Sequence, residues 1–187
     1  MAIWDTHGVS YRIDRFLPGY DFTEHHHVDL TGTVEQAYAG AREMDFSSSR
    51  ITHILFRVRR LHFEDLTLDG LIASGFVLLD EHPPHEFVLG LSSKGFRPSG
   101  AQTREAFEEF VPERGLKIAW NFRTEEREEG VVRLHTETRT KCYGSIKPMF
   151  RLYWTVVKPF SGLIRKEMLT AAAAGQRLDT VGRPRAS

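Results

Sequence analysis

Three consecutive histidines, His25, His26 and His27, are the densest group of metal-type ligands in the sequence. Side chains alternate along a strand, so His25 and His27 share one face while His26 points to the other. Two same-face imidazoles fall short of the three or four protein ligands that zinc takes, and no carboxylate or cysteine is placed by the sequence to complete the set. The expectation is no metal: the run reads as a solvated edge strand, with weak zinc binding and no loss of fold to a chelator. Glu137 and Arg139, in TETR, are the residues to inspect for catalysis. An acid and a base at i and i+2 share a strand face, where they hold a polar substrate group or, with Arg133 and Lys141, form a ladder of surface charges. The ladder is the expected outcome. Cys142 has no neighbouring histidine and reads as an inert small hydrophobe rather than a nucleophile. No Walker loop, dinucleotide fingerprint, GxSxG elbow or HExxH occurs, so hydrolase and nucleotide-cofactor classes lose weight and no cofactor is expected.

The elements that must position these residues follow from periodicity. Residues 1–23 mix aromatics with charges around Pro18 and Gly19 and read as an irregular lead-in. His25 to Leu30 reads as a strand. Thr33 and Gln36 form a capping box for a helix over Val34–Met44. Ile51, Ile54, Leu55, Val58 and Leu61 make one apolar stripe, with His53, His62, Arg57, Arg59 and Arg60 on or near its wet side. A short helix, Leu68–Ala73, stops at Gly75. From Phe76 the period changes to two: Phe76–Leu79 and Phe87, Leu89, Leu91 read as strands joined through Pro83-Pro84. Ser92–Thr103 reads as a loop and Glu105–Val111 as a strand, in which Phe107 and Phe110 have opposite parity and suggest a bulge.

The clearest strand follows, with Leu116, Ile118, Trp120 and Phe122 alternating against Lys117, Ala119, Asn121 and Arg123. EEREEG, residues 125–130, reads as a charged hairpin tip. Val131–Tyr143 returns, with Thr136, Thr138 and Cys142 on one face and Glu137 and Arg139 on the other. Which of those faces points inward is open at this stage. After Gly144, Met149–Ala174 reads as a long helix kinked at Pro159, with Phe150, Tyr153, Trp154 and Val157 as its first apolar stripe, continued by Ile164, Met168 and Ala171. The remainder from Gln176 reads as a tail.

Length and composition bound the function classes. The chain has 187 residues, 41% of them hydrophobic, which fits one globular domain over 1–175 with a flexible tail over 176–187. Lys plus Arg and Asp plus Glu both number 25, leaving no large basic field for nucleic acid. One cysteine excludes an intramolecular disulfide and a Cys-based zinc site. No stretch reads as a signal peptide or a membrane span, so a cytoplasmic protein is expected.

The order of short strand, helices, antiparallel strands and long terminal helix resembles the helix-grip fold of the START-like or SRPBCC superfamily. HHHVDLTGTVEQAYAGAREMD is similar to that superfamily's opening strand and helix. LIASGFVLLDEHPPHEFVLGL, RLHTETRTKC and FRLYWTVVKPFSGLIRKEML resemble segments of an uncharacterised bacterial branch. The likeness runs from about Phe22 to Ala174 and carries no catalytic motif. It implies an α+β domain whose antiparallel sheet, of at least five strands, wraps the helix Met149–Ala174 and leaves a small-molecule cavity between them. Ile118, Trp120, Phe122, Thr136, Thr138, Tyr153, Trp154 and Val157 are the expected lining, although each aromatic taken singly is as readily plain core. Three functions follow as expectations. The first is non-catalytic binding of a hydrophobic or amphipathic small molecule. The second is a cyclase- or dehydratase-like enzyme using Glu137, Arg139 or a histidine. The third is an interaction module whose cavity is filled by its own aromatics.

Overall fold

A computed structural model describes residues 11–43, 67–73, 75–98 and 103–155. The helices are α1 (Arg12–Phe16), α2 (Val34–Arg42), α3 (Leu68–Ala73), α4 (Arg104–Glu109) and α5 (residues 147–155), the last entered through a 3-10 turn at Gly144–Ile146. The strands are β1 (Phe22–Thr31), β2 (Val77–His82), β3 (Glu86–Lys94), β4 (Arg97–Pro98), β5 (Gly115–Glu128) and β6 (Val131–Tyr143). They form one antiparallel sheet in the order β1-β6-β5-β3-β2, with β4 paired to β3, so the fold class is α+β. Among the described residues no helix is long and apolar enough to cross a membrane.

Local chemistry accounts for several element ends. Thr33 Oγ1 accepts from Gln36 N at 3.3 Å and Gln36 Oε1 accepts from Thr33 N at 3.0 Å, the expected capping box, and α2 ends at Arg42. Thr67 Oγ1 accepts from Gly70 N at the start of α3, and Gly75 follows its end with φ +109°. Gly130, at φ +76°, supplies the left-handed residue that turns β5 into β6.

The register fixes both faces of the sheet. Phe22, His26, Val28 and Leu30 of β1 lie beside Thr140, Thr136, Leu134 and Val132 of β6, and these in turn beside Ile118, Phe122 and Thr124 of β5. Phe122 and Trp120 then oppose Phe87 and Leu89 of β3. This inner face receives α2 and α3 in a core containing Tyr38, Leu71, Phe87, Leu89, Phe122 and Leu134. A second inner cluster, Leu116, Cys142, Ile146 and Phe150, receives α5. Burying a side chain such as Phe87 or Leu134, each 0% exposed, contributes about 1.5 to 3 kcal/mol.

The outer face is also covered, and here the structure departs from expectation. The supposed lead-in includes α1, whose Ile13 and Phe16 pack with Leu17 against Val77, Leu79, Val88 and Ala119. Residues 105–111 are not a strand: Thr103 Oγ1 caps α4 by accepting from Ala106 N at 3.1 Å, and Arg104 pairs with Glu108 at i+4. Phe107 lies within the helix and fills the outer core at 0% exposure, while Phe110 stands just past its end as an extended C-cap, so their opposite parity is not a strand bulge. The Ser92–Thr103 loop is shorter than expected, because β3 continues to Lys94 and Ser93 Oγ accepts from Leu116 N while donating to Gly95 O. The EEREEG tip narrows as well, since β5 pairs through Glu128 after a bulge at Glu126.

Met44, the stripe Ile51–Leu61 with its neighbouring histidines and arginines, residues 1–10, and the helix and tail from residue 156 onward, with Val157, Pro159, Ile164, Met168 and Ala171, lie outside the described residues.

Candidate functional site

Two groups of functional-type side chains occupy opposite faces of the sheet. On the inner face, the α2-side core and the α5-side cluster are separated by a polar band. Glu24 and His26 of β1 stand opposite Thr138 and Thr136 of β6, and Trp120 of β5 lies opposite Thr138. Glu24 is buried, and its Oε1 lies 3.3 Å from His26 Nε2. That nitrogen is enclosed, yet among the described residues it makes no hydrogen bond of good geometry. Trp120 Nε1 donates to Thr136 Oγ1 at 2.7 Å, and Thr136 Oγ1 donates onward to the Asn121 carbonyl at 3.0 Å.

The expected lining residues divide along this band. Phe122 and Thr136 are fully enclosed, Phe122 stacking on Phe87 at 5.0 Å between ring centres. Trp120 is half-buried and packs on Phe122 and Phe76. Ile118, Tyr153 and Trp154 pack against the α5-side cluster, where Trp154 meets Phe150 and Phe22. Thr138 stands on the same face, while Val157 is outside the described residues. The Thr136 and Thr138 face of β6 is thus the inner one. Glu24, His26 and Phe76 stand on this face beside the expected lining residues, and the parity of β1 already sets Glu24 and His26 with Phe22, Val28 and Leu30.

On the outer face, Glu137 and Arg139 are neither a free catalytic pair nor a simple ladder. Arg139 is buried: its Nε donates to Glu137 Oε1 at 2.7 Å, and its Nη1 donates to Asp14 Oδ1 at 2.6 Å. The guanidinium also lies over the Tyr20 ring at 4.8 Å. Burial works to lower its pKa, but Glu137 and Asp14 outweigh that and hold it above the ordinary arginine range. Asn121 extends the network, donating through Nδ2 to Glu86 Oε1 at 2.7 Å and accepting Glu137 N–H through Oδ1 at 2.9 Å. Burial pushes the Glu86 carboxyl up from its usual range. Only Arg133 behaves as a ladder residue, reaching Asp29 on β1 with two hydrogen bonds at an exposed position.

The same face gathers histidines. His27 of β1 is paired in register with His135 of β6, and His25 lies two residues back on the same face. His25 Nε2 is 3.0 Å from His135 Nδ1, and His135 Nε2 is 3.0 Å from Glu125 Oε2. Desolvation, helped by the Arg123 charge, lowers the His135 pKa to about 4, and desolvation lowers that of His25. Burial works to raise Glu125, but hydrogen bonds from Arg127 and Arg123 overcome it and bring its pKa down to about 2. An ionised Glu125 accepts only, so His135 donates from Nε2 and turns the lone pair of Nδ1 toward the N–H of His25. The expected pair of same-face histidines is therefore an undercount. A third imidazole arrives from a strand more than 100 residues away, which spacing along β1 alone does not reveal.

Cys142 is buried, and desolvation with the nearby Asp21 pushes its thiol up to about 11. Two pKa units leave about one hundredth of the usual thiolate, so a disulfide exchange reagent should modify native protein at pH 8 about a hundredfold slower than unfolded chain. Equal rates in a spectrophotometric thiol assay would show the residue to be accessible. The raised pKa also means that stability falls as pH rises from 9 toward 11, where the unfolded thiol has lost its proton and the folded one retains it.

Taken together, the chain is an α+β protein with a sheet covered on both faces, a polar band crossing the inner face and a histidine cluster on the outer one. No protein-family model and no curated protein matches it. Among solved structures, it is similar to a conserved protein from Geobacillus kaustophilus, with 14% identity and a TM-score of 0.45 over 82% of this chain and 96% of that one. It is also similar to a hypothetical protein, jhp0584, from Helicobacter pylori, with 12% identity and a TM-score of 0.45 over 94% of this chain and 99% of that one.

Proposed function

We propose that the inner face of the sheet binds an amphipathic small molecule, as the resemblance to helix-grip proteins implies, with α5 forming part of the facing wall. The observation that carries this reading is the polar band itself. A sheet face built only for packing has little use for a buried carboxylate, a half-buried imidazole and two threonines between two apolar clusters, because taking polar groups out of water costs free energy that apolar side chains would not incur. An apolar surface with a few convergent polar groups is the usual make-up of a ligand site. Trp120, Phe76 and Ile118 offer contact for an apolar body, and Glu24, His26 and Thr138 offer anchors for one polar end.

A second reading is favoured by one contact. The Glu24 carboxylate beside the His26 imidazole is an arrangement used for proton transfer, so an enzyme of the cyclase or dehydratase kind would employ these two residues. Glu137 and Arg139 are tied into the outer-face network and support no chemistry at the band.

Tryptophan fluorescence tests the binding reading. Titration with a fatty-acid-like probe should shift or quench emission with micromolar affinity, about −8 kcal/mol. His26→Ala should weaken binding by about tenfold, the worth of one good polar contact, while melting stays close to wild type. Native mass spectrometry of gently purified protein then reports any co-purified molecule. No saturable binding of an apolar probe, or affinity indifferent to both His26→Ala and Thr138→Val, would reject the site and leave the band as core.

A further inference from the structure

We infer that His25, His27 and His135 form a three-histidine site for a divalent first-row transition ion, on the sheet face opposite the polar band. One nitrogen of each of the three imidazoles lies within 4.8 Å of the other two. Two ligands at tetrahedral angles, each about 2.1 Å from one ion, stand about 3.4 Å apart. His25 Nε2 and His135 Nδ1, at 3.0 Å, are already near that spacing. The remaining gap closes by side-chain rotation, which His25 and His27 are free to make because both are exposed.

The backbone fixes the set. His27 and His135 are register partners on adjacent antiparallel strands, and His25 is the next residue of β1 on the same face, so three ligands converge from one rigid patch of sheet. His135 is oriented from behind. Its Nε2–H donates to Glu125, leaving the Nδ1 lone pair directed at His25. A carboxylate behind a ligating histidine is the arrangement that fixes tautomer and ring orientation in metal sites. Besides that rotation, binding requires the His25 proton to move from Nε2 to Nδ1, freeing a lone pair toward the ion.

The Arg123 charge works against a cation here, and nearby carboxylates offset it. Arg123 and Arg127 are held on Glu125, and Arg133 is held on Asp29. Glu137, which faces His25 in register, and Glu125 itself add negative charge nearby. Three imidazoles select zinc-, copper- or nickel-class ions over magnesium and calcium, which take oxygen ligands. Three protein ligands leave a fourth position for water, the pattern of an open rather than a closed site.

The test uses tag-free, dialysed full-length protein and Zn2+ or Co2+ alone. Calorimetry should show one equivalent bound, and Co2+ should develop the visible absorption of a tetrahedral or five-coordinate ion, with no response to Mg2+. His27→Ala and His25→Ala, both at exposed positions where folding is retained, should each weaken binding by at least about tenfold, and Glu125→Gln by about tenfold. His26→Ala, on the opposite face, should leave it unchanged. Absence of a one-equivalent event would overturn the assignment. So would binding that survives both exposed-histidine variants, or that falls equally with His26→Ala.

Discussion

Arg139→Ala is expected to destabilise the fold by about 3 kcal/mol, read as a lower midpoint in urea with an unchanged slope. The side chain is 8% exposed and joins Glu137 on its own strand to Asp14 on α1. Removing it strands two carboxylates that were arranged around a cation, and the penalty for breaking a buried pair is about 3 to 5 kcal/mol. The lower end applies because Asp14 is 38% exposed and water takes over part of its solvation. A member of an exposed charge ladder would cost about 0 to 1 kcal/mol instead, so a small effect would restore the surface ladder. Arg139→Lys should fall between, since an ammonium keeps the charge but lacks the planar fork that reaches both carboxylates at once.

Gly115→Ala should cost about 3 kcal/mol or more. A Cβ there would sit 2.0 Å from the Ser93 carbonyl oxygen and 3.0 Å from Pro112 Cγ. The first of these is backbone in the neighbouring strand, so no rotamer relieves the clash, and β5 must separate from β3 where its pairing begins. Gly95→Ala is the informative comparison. Its φ of +61° imposes a left-handed penalty of about 1 to 2 kcal/mol, but the space around it is open. If thermal melting shows Gly115→Ala no worse than Gly95→Ala, the close strand approach is not what the position demands.

Elements with strong local signals were readable in the sequence. The Thr33 and Gln36 box gave the start of α2, the alternation of Leu116 to Arg123 gave β5, and Val131–Tyr143 is the strand observed. The region around Phe107 reads as a strand because a six-residue helix offers less than two turns of periodicity, and Phe110, which follows at its extended C-cap, invites comparison with a two-residue period. The lead-in was misread for a different reason. Ile13 and Phe16 are an ordinary i, i+3 pair, but only the outer face of the sheet gives them something to bury against.

The candidate sites were legible to the extent that they are local. Trp120 and the Thr136 face follow from parity within one strand. The meeting of His135 with His25 and His27 depends on the register between β1 and β6, to which no short-range rule applies. Arg139 likewise found a partner, Asp14, in a segment that showed no chemistry of its own.

The β1–β6 pairing also sets an order of assembly. β5 and β6 are joined by a tight turn at Gly130, whereas the His25 to His135 contact closes a separation of 110 residues. That is roughly six doublings of loop length, or about 3 to 4 kcal/mol of additional closure entropy, so the hairpin can form while β1 still diffuses. On this estimate β1 is expected to dock after the hairpin has formed. A partly folded chain without β1 has β6 but not the histidine cluster, which comes into being only with that pairing. An ion bound there would act as a latch on this long-range strand pairing, favouring the closed chain by about 2.7 kcal/mol when its concentration is a hundred times its dissociation constant.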